Sequence, residues 1–134
     1  MKALALAMLF AAAPDPGYWD GMKAVIQQHL GRPYVWGSTG LKSFDCSGFV
    51  WRVLYDNGIL IKRTTARKLY MSLKPVSPNE QWQGGNIVFF DNMKHCGIVN
   101  ARDTFFHAES RKGTNLSHFQ PYWGRKVCGF RKLK

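Results

Sequence analysis

Four short segments in the second half of the chain constrain the fold most strongly. Each is rich in β-branched or aromatic residues and is bounded by polar turns, which is the composition and length typical of a strand. The short connections favour antiparallel neighbours. We therefore predict an antiparallel β-meander built from residues 86–90 (NIVFF), 94–101 (KHCGIVNA), 104–109 (TFFHAE) and 126–132 (KVCGFRK).

The first half of the chain has a helical spacing of apolar residues instead. A first predicted helix begins after residue 16 and stops at Gly31, and a second begins after Asp45, a good N-cap, and ends before Gly58. A third short helix is capped by Thr64 or Thr65. Helices that precede strands indicate an α+β fold, with N-terminal helices packed on the C-terminal meander.

The start of the chain has the order of a secretory signal, with one lysine, an apolar run and then small residues. We predict that residues 1–16 form a leader or signal-like segment and that residues 17–134 form one domain, periplasmic or secreted. An uncleaved N-terminal helix and a leader for another export route are alternatives. No run reaches the roughly 18 apolar residues of a membrane-spanning helix, so we expect no stable membrane insertion.

The net charge of +11 suits a polyanionic neighbourhood such as nucleic acid, anionic lipid or a phosphate-rich cell envelope. A basic, solvated face of an ordinary soluble protein would give the same charge. Lysines and arginines alternate with aromatic residues, yet no recognised nucleic-acid-binding motif is visible. We therefore expect no nucleic-acid partner.

Cys46 directly follows the predicted cap Asp45, so its thiol lies at the start of a helix. The unpaired N–H groups and the positive dipole end favour an anion there, which lowers the pKa of a thiol and makes it a better nucleophile. A backbone N–H at the same place can stabilise a developing oxyanion. A buried structural cysteine is the alternative.

A nucleophilic cysteine needs a base, and the chain has four histidines. His29 falls at the end of the first predicted helix, where we expect a surface or capping residue, and His118 falls in a polar run that we predict to be a loop. His95 and His107 both lie on predicted strands. These two are the candidates for catalysis.

The alternation of side chains along strands tests whether the two strand histidines can meet. A two-residue turn would pair Ile98 with His107 and leave the histidines on opposite faces, whereas a three-residue loop would pair Gly97 with His107. His95 would then be a diagonal neighbour on the same face, and Gly97 would leave room for a ring. Catalysis therefore requires an odd loop or a bulge. Cys96, by alternation, is predicted to point away and to serve packing.

Several motifs together resemble the NlpC/P60 cysteine peptidases, a papain-like group that cuts bacterial peptidoglycan stem peptides. The resemblance runs from about Arg32 to Arg131 and includes GRPYVWGSTG, DCSGFV, RTTA, GGNIVFF, HCGIV and FFHAE. It implies a papain-like NlpC/P60 catalytic domain without a cofactor or a metal. One departure is Cys96, at a position where a small aliphatic residue such as valine is usual.

The resemblance also implies roles for individual residues. It makes Cys46 the nucleophile, His95 the general base and acid, and His107 the residue that orients His95. The implied scissile bond joins γ-D-glutamate to a diamino acid, in cell-wall remodelling. It also implies that the Tyr34 hydroxyl lies near the oxyanion, which the Cys46 N–H stabilises. Asp45 and Ser47 are implied to help bind the stem peptide.

Other functions stay open at this point. A papain-like acyltransferase would use the same cysteine, and an antibacterial toxin would use the same chemistry with an immunity protein as partner. A zinc site is the weakest alternative, because no ligand pair has the usual short spacing. Cys96 and Cys128 could form a disulfide if their strands were neighbours.

Overall fold

The computed structural model describes residues 16–38 and 44–133. The predicted leader lies outside this range except for Pro16. The described helices are α1 (Pro16–His29), α2 (Cys46–Asp56) and α3 (Ala66–Ser72). The described strands are β1 (Lys74–Pro75), β2 (Ile87–Phe90), β3 (His95–Ala101), β4 (Thr104–Glu109), β5 (Gly113–His118) and β6 (Val127–Lys132). Short 3₁₀ turns span Pro78–Glu80 and Trp123–Lys126.

The strands form one antiparallel sheet in the order β1-β6-β2-β3-β4-β5, which confirms the predicted α+β class. The sheet departs from the predicted meander in two ways. Residues 113–118, expected in a loop, form the edge strand β5, and β6 returns to the far side of β2. The β5 sequence GTNLSH is largely polar because β5 is the edge strand of the sheet and only its first two residues are buried.

Both faces of the sheet are buried, which explains why β2 is apolar at every position. One face packs against α2, and the other is covered by the segment after β5 and the residues around Trp82. The α2 face presents Ile87, Phe89, Cys96, Ile98, Phe106 and Ala108. The opposite face presents Val88, Phe90, Val99 and Phe105, against Phe119, Trp82 and Trp123.

Helix α2 begins where its cap predicts. Asp45 is in the extended region and its carboxylate accepts a hydrogen bond of 2.6 Å from the Gly48 N–H, and Gly58 follows the helix with a φ of 81°. Thr65 is the cap of α3, since its hydroxyl accepts from the Lys68 N–H. These caps confirm the predicted helix starts, because they depend on side chains only three residues away.

His29 was predicted to be a surface or capping residue, and that prediction is wrong. Its ring is only 3% exposed, packs edge-on against Phe44, and has its Nε2 atom 3.1 Å from the Asp56 carboxylate. His29 therefore ties the end of α1 to the end of α2.

The β3–β4 hairpin supplies the odd offset that the two histidines need. A bulge at Asn100 interrupts the register, so that the pairing of Ala101 with Thr104 is followed by that of Val99 with Phe105. The register beyond the bulge brings His95 and His107 to the same face, opposite α2.

No helix within the described ranges is long and apolar enough to cross a membrane.

Candidate functional site

The Cys46 thiol lies at the first position of α2, where the helix meets the start of β3. It is 8% exposed, and its Sγ atom is 3.8 Å from the carbonyl oxygen of Lys94. Its neighbours His95 and Cys96 on β3 both lower the pKa of this thiol.

Behind His95, a line of hydrogen bonds runs across the sheet to the edge strand β5. The Nε2 atom of His95 is 2.8 Å from Nδ1 of His107, and Nε2 of His107 is 2.8 Å from the Ser117 hydroxyl and 3.3 Å from the Glu109 carboxylate. Because its Nε2 faces His107, His95 has Nδ1 left for the thiol. The site therefore continues beyond the three residues that sequence analysis identified.

Glu109 and Ser117 were missed by the sequence analysis. Glu109 follows His107 by two positions, so strand alternation alone would have placed both on one face. Ser117 could not be found because β5 was predicted to be a loop. Asn115 completes this end, donating from its amide to Glu109 at 2.9 Å and accepting from the Ser117 hydroxyl at 2.6 Å.

Aromatic rings hold the two histidines in place. Trp123 stacks on His95 with a centroid distance of 5.1 Å and an interplanar angle of 25°, and meets His107 edge-on at 4.9 Å. Phe105 contacts the other side of His107 at 4.4 Å. This packing leaves the rings little freedom to turn, so their nitrogens keep the directions that the hydrogen bonds require.

The electrostatics favour an ionised thiol beside a neutral inner histidine. Hydrogen bonds from Cys96 and then His95 lower the pKa of Cys46 to about 5, although burial opposes this shift. Burial, with the positive neighbours His95 and Lys112, holds the pKa of His107 far below its usual range. His107 is therefore neutral, with Nδ1 free to accept from His95 and a proton on Nε2 for Ser117 or Glu109.

Cys96 was predicted to point away from His95 and to serve packing. It lies on the face of the sheet that helix α2 covers, within the same core cluster as Cys46. Cys96 is fully buried, and its hydrogen bond to Cys46 together with burial raises its pKa.

Asp45 and Ser47 lie together beneath the start of α2, each 6% exposed. The Arg63 guanidinium is 2.8 Å from the Asp45 carboxylate and donates to the Ser47 hydroxyl at 3.0 Å. The second carboxylate oxygen of Asp45 accepts from the Gly37 N–H at 2.9 Å. These bonds fix the helix start, and a contact with the stem peptide stays a prediction.

A cleft of about 1170 Å³ opens beside His95 and is lined by Tyr34 and Trp123. Tyr34 is half-buried, and burial, followed by the charges of Cys46 and Asp45, raises the pKa of its phenol, so the hydroxyl keeps its proton as a donor. The rest of the lining is largely polar and charged: Asp91, Asn92, Lys94, Glu109, Ser110, Arg111, Lys112 and Tyr122.

The sequence also suggested a disulfide and a zinc site, and the described residues form neither of them. Cys96 and Gly129, the residue after Cys128, pair with opposite edges of Phe89, so β2 separates the two cysteines, and all three cysteines are free. The suggested disulfide is therefore wrong. Within residues 16–38 and 44–133, no cluster of three or more His, Cys, Asp or Glu side chains could hold a metal.

A helix-start thiol, a histidine on the adjoining strand and a polar residue behind that histidine form the arrangement that is typical of papain-like cysteine peptidases. The sequence model of the NlpC/P60 family matches residues 31–132. The chain belongs to the NlpC/P60 family.

Individual relatives agree with this assignment. The chain is 35% identical over 120 residues to a protein of Listeria seeligeri named "Probable endopeptidase p60", covering 82% of this chain and 21% of that protein. It is also 35% identical over 110 residues to "Probable peptidoglycan endopeptidase LytE" of Bacillus subtilis, covering 78% and 31%. The chain thus spans less than a third of these two relatives.

Solved structures have the same fold. A crystal structure from Staphylococcus aureus, described as similar to a lipoprotein of the NLP/P60 family, superposes with a TM-score of 0.78 at 26% identity. The match covers 90% of this chain and 42% of that one.

Proposed function

We propose that this protein is a cysteine peptidase that hydrolyses an amide bond in bacterial peptidoglycan stem peptides. The observation that carries the proposal is the line of contacts from His95 through His107 to Glu109, beside the helix-start thiol of Cys46, whose pKa His95 helps to lower. Membership of the NlpC/P60 family and the likeness to a relative named as a peptidoglycan endopeptidase support the substrate class.

The first half of the reaction forms a thioester. The Cys46 thiolate attacks the scissile carbonyl carbon, and the negative charge that develops on the oxygen is stabilised by the Cys46 N–H and the Tyr34 hydroxyl. Protonated His95 then gives its proton to the leaving nitrogen, the carbon–nitrogen bond breaks, and the amine departs. General acid catalysis of this kind is worth roughly 10²–10⁴-fold in rate.

The second half releases the acid. Neutral His95 takes a proton from water, the resulting hydroxide attacks the thioester carbon, and the carbon–sulfur bond breaks to restore the thiolate and the imidazolium. His107 stays neutral throughout and accepts from His95 Nε2–H, while Glu109 and Ser117 fix its tautomer. His107 thereby keeps Nδ1 of His95 directed at the sulfur.

We propose the bond between γ-D-glutamate and the diamino acid as the target, with Asp45 and Ser47 on the stem-peptide side of the thiol. The basic residues Lys94, Arg111 and Lys112 along the cleft would attract stem-peptide carboxylates. Such a substrate implies action outside the cytoplasm, either in wall remodelling or as a toxin. The toxin role requires an immunity protein that blocks this cleft.

Mass spectrometry of digested, purified sacculi tests the proposal. The wild-type protein should release stem-peptide fragments whose new termini identify the bond, and Cys46→Ala should release none. The Cys128→Ala variant is a matched control, since it removes an exposed thiol on the opposite side of β2. Intact sacculi after wild-type digestion would refute the proposed substrate. Transfer of an acyl group without release of peptide would favour the acyltransferase.

A further inference from the structure

The segment that carries Tyr34 into the cleft is bound on two sides. On the first side it pairs with the residue that stands two positions before Cys46, since Tyr34 forms a parallel bridge with Phe44. The Phe44 N–H donates to the Pro33 carbonyl at 3.1 Å, and the Phe44 carbonyl accepts from the Val35 N–H at 2.9 Å. This pairing ties the tyrosine to the start of α2.

On the second side, the same segment is bound to Thr114, near the start of β5. The Thr114 N–H donates to the Arg32 carbonyl at 2.9 Å, and the Gly31 N–H donates to the Thr114 carbonyl at 2.8 Å. The Thr114 hydroxyl adds two bonds of its own, because it accepts from the Arg32 N–H at 2.8 Å and donates to the His29 carbonyl. This side chain thus joins the end of α1 to the chain that leads into Tyr34.

The two segments lie in direct contact at this point. Thr114 is 1% exposed, and a Cβ atom on the neighbouring Gly113 would overlap the Arg32 carbonyl oxygen. Only Pro33 separates Arg32 from Tyr34, and its ring fixes φ, so a shift of the Arg32 peptide is passed on to the tyrosine. The Thr114 hydroxyl can therefore control a side chain in the cleft through the backbone.

The edge strand β5 contacts the site from both faces of the sheet. Thr114 pairs with Ala108, which belongs to the face that packs against α2. Ser117 lies on the opposite face, where its hydroxyl is 2.8 Å from Nε2 of His107. One strand thus contacts both the inner histidine and the segment that carries Tyr34.

We propose that Thr114 is a positioning residue, whose hydroxyl holds residues 32–34 so that the Tyr34 hydroxyl is directed at the oxyanion. The proposal rests on the proposed function, in which Tyr34 and the Cys46 N–H stabilise that oxyanion. Tyr34 lines the cleft together with His95, and its phenol keeps the proton that it would donate.

The test removes the Thr114 hydroxyl and measures whether its loss acts through Tyr34. Thr114→Val keeps the shape of the side chain without the hydroxyl, and Thr114→Ser keeps the hydroxyl. Thr114→Ala leaves room for a water at the Arg32 N–H and supplies the comparison where Thr114→Val does not fold. Thr65→Val is the matched control, since it removes a threonine hydroxyl that accepts from the Lys68 N–H at the start of α3. Each variant is made with Tyr34 and with Tyr34→Phe, and kcat and KM on a soluble stem peptide are measured beside urea unfolding.

Tyr34→Phe removes one oxyanion donor and should lower kcat by about 100-fold. Thr114→Val and Thr114→Ala displace that donor without removing it, so kcat should fall by about tenfold with little change in KM. With Tyr34→Phe, the same two changes should lower kcat by less than about twofold, because the donor that they displace is already absent. Thr114→Ser and Thr65→Val should keep the wild-type kcat.

An equal loss of kcat with and without the Tyr34 hydroxyl would leave Thr114 a purely structural role and overturn the proposal. Wild-type kcat in both variants that lack the hydroxyl would also overturn it, as would the same loss in Thr65→Val.

A second readout does not need activity. In protein labelled with ¹³C-tyrosine, the Tyr34 ring resonance is identified by its absence in Tyr34→Phe. It should move in Thr114→Val and Thr114→Ala and stay in place in Thr114→Ser and Thr65→Val, and an unmoved resonance in the first two would overturn the proposal. If the wild type cleaves no stem peptide, the proposed function fails, and this resonance alone decides whether Thr114 positions Tyr34.

Discussion

Substitution of Gly97 by alanine tests how the hairpin register positions the site. Gly97 lies on β3, which carries His95, and its backbone faces that of β4 next to His107. A Cβ atom at this position would lie 2.6 Å from the Phe106 carbonyl oxygen, 3.0 Å from the Phe105 ring and 3.1 Å from the His107 Cβ atom. The first of these is a backbone atom that cannot move alone, because β4 is bonded to β3 and β5.

The expected cost follows from these distances. Overpacking of this kind costs about 1–3 kcal/mol, and alanine regains about 0.5–1 kcal/mol relative to glycine within a strand, so we expect a net loss of about 1–2 kcal/mol. Relief requires β3 and β4 to separate by several tenths of an ångström, which lengthens the 2.8 Å contact between His95 and His107. Because a 1 Å misplacement costs about 100-fold in rate, we expect activity to fall by about tenfold.

Urea unfolding and kcat/KM on a soluble stem peptide measure the two effects. Gly129→Ala is the matched control on β6, since its Cβ would lie 2.7 Å from the Tyr70 ring and would meet no histidine. Wild-type stability for Gly97→Ala would refute the close approach of the strands. A destabilised but fully active variant would refute the link between this register and catalysis.

The remaining predictions concern the thiol, the histidines and the surface charge. Cys46 should be alkylated by iodoacetamide at pH 7 faster than Cys96, because its pKa is lowered to about 5 and that of Cys96 is raised; faster labelling of Cys96 would contradict the assignment. His95→Ala should lower kcat about as far as Cys46→Ala, whereas His107→Gln should retain more activity because an amide oxygen can still accept from His95. Since the folded pKa of His107 lies below its ordinary value of 6.5, the unfolded chain binds a proton that the folded chain excludes. Wild-type stability should therefore fall below pH 6.5 by up to about 1.4 kcal/mol per pH unit more than that of His107→Gln, and parallel urea-denaturation curves for the two proteins would refute this. With a net charge of +11, release of fragments from sacculi should fall as salt rises, while cleavage of a short soluble peptide changes little; equal loss on both would place the salt effect in the site or the fold.

The parts of the site that could be predicted are those set by neighbours in the chain. The Asp45 cap determines where α2 begins and therefore where the thiol of Cys46 lies. Alternation along a strand determined which face each histidine takes relative to its own strand. Whether the two histidines share one face of the sheet depends on the bulge at Asn100. The alternation of side chains showed that an odd loop or a bulge was needed, but it could not show where the bulge lies.

The parts that could not be predicted depend on which elements meet in three dimensions. The placement of Cys96 and Cys46 in one core cluster follows from the face of the sheet on which α2 packs, and local pattern carries no information about that choice. Ser117 escaped notice because an edge strand with one solvated side has the composition of a loop. The burial of His29 against Asp56 likewise reflects the meeting of two helix ends.

The position of β6 affects how the chain reaches its folded state. This strand is the last along the described chain, yet it lies inside the sheet between β1 and β2. Until residues 127–132 arrive, β2 exposes an unpaired edge whose four residues are all apolar, and such an edge invites pairing with other chains. The hazard of aggregation therefore lasts until residues 127–132 are available to pair with β2.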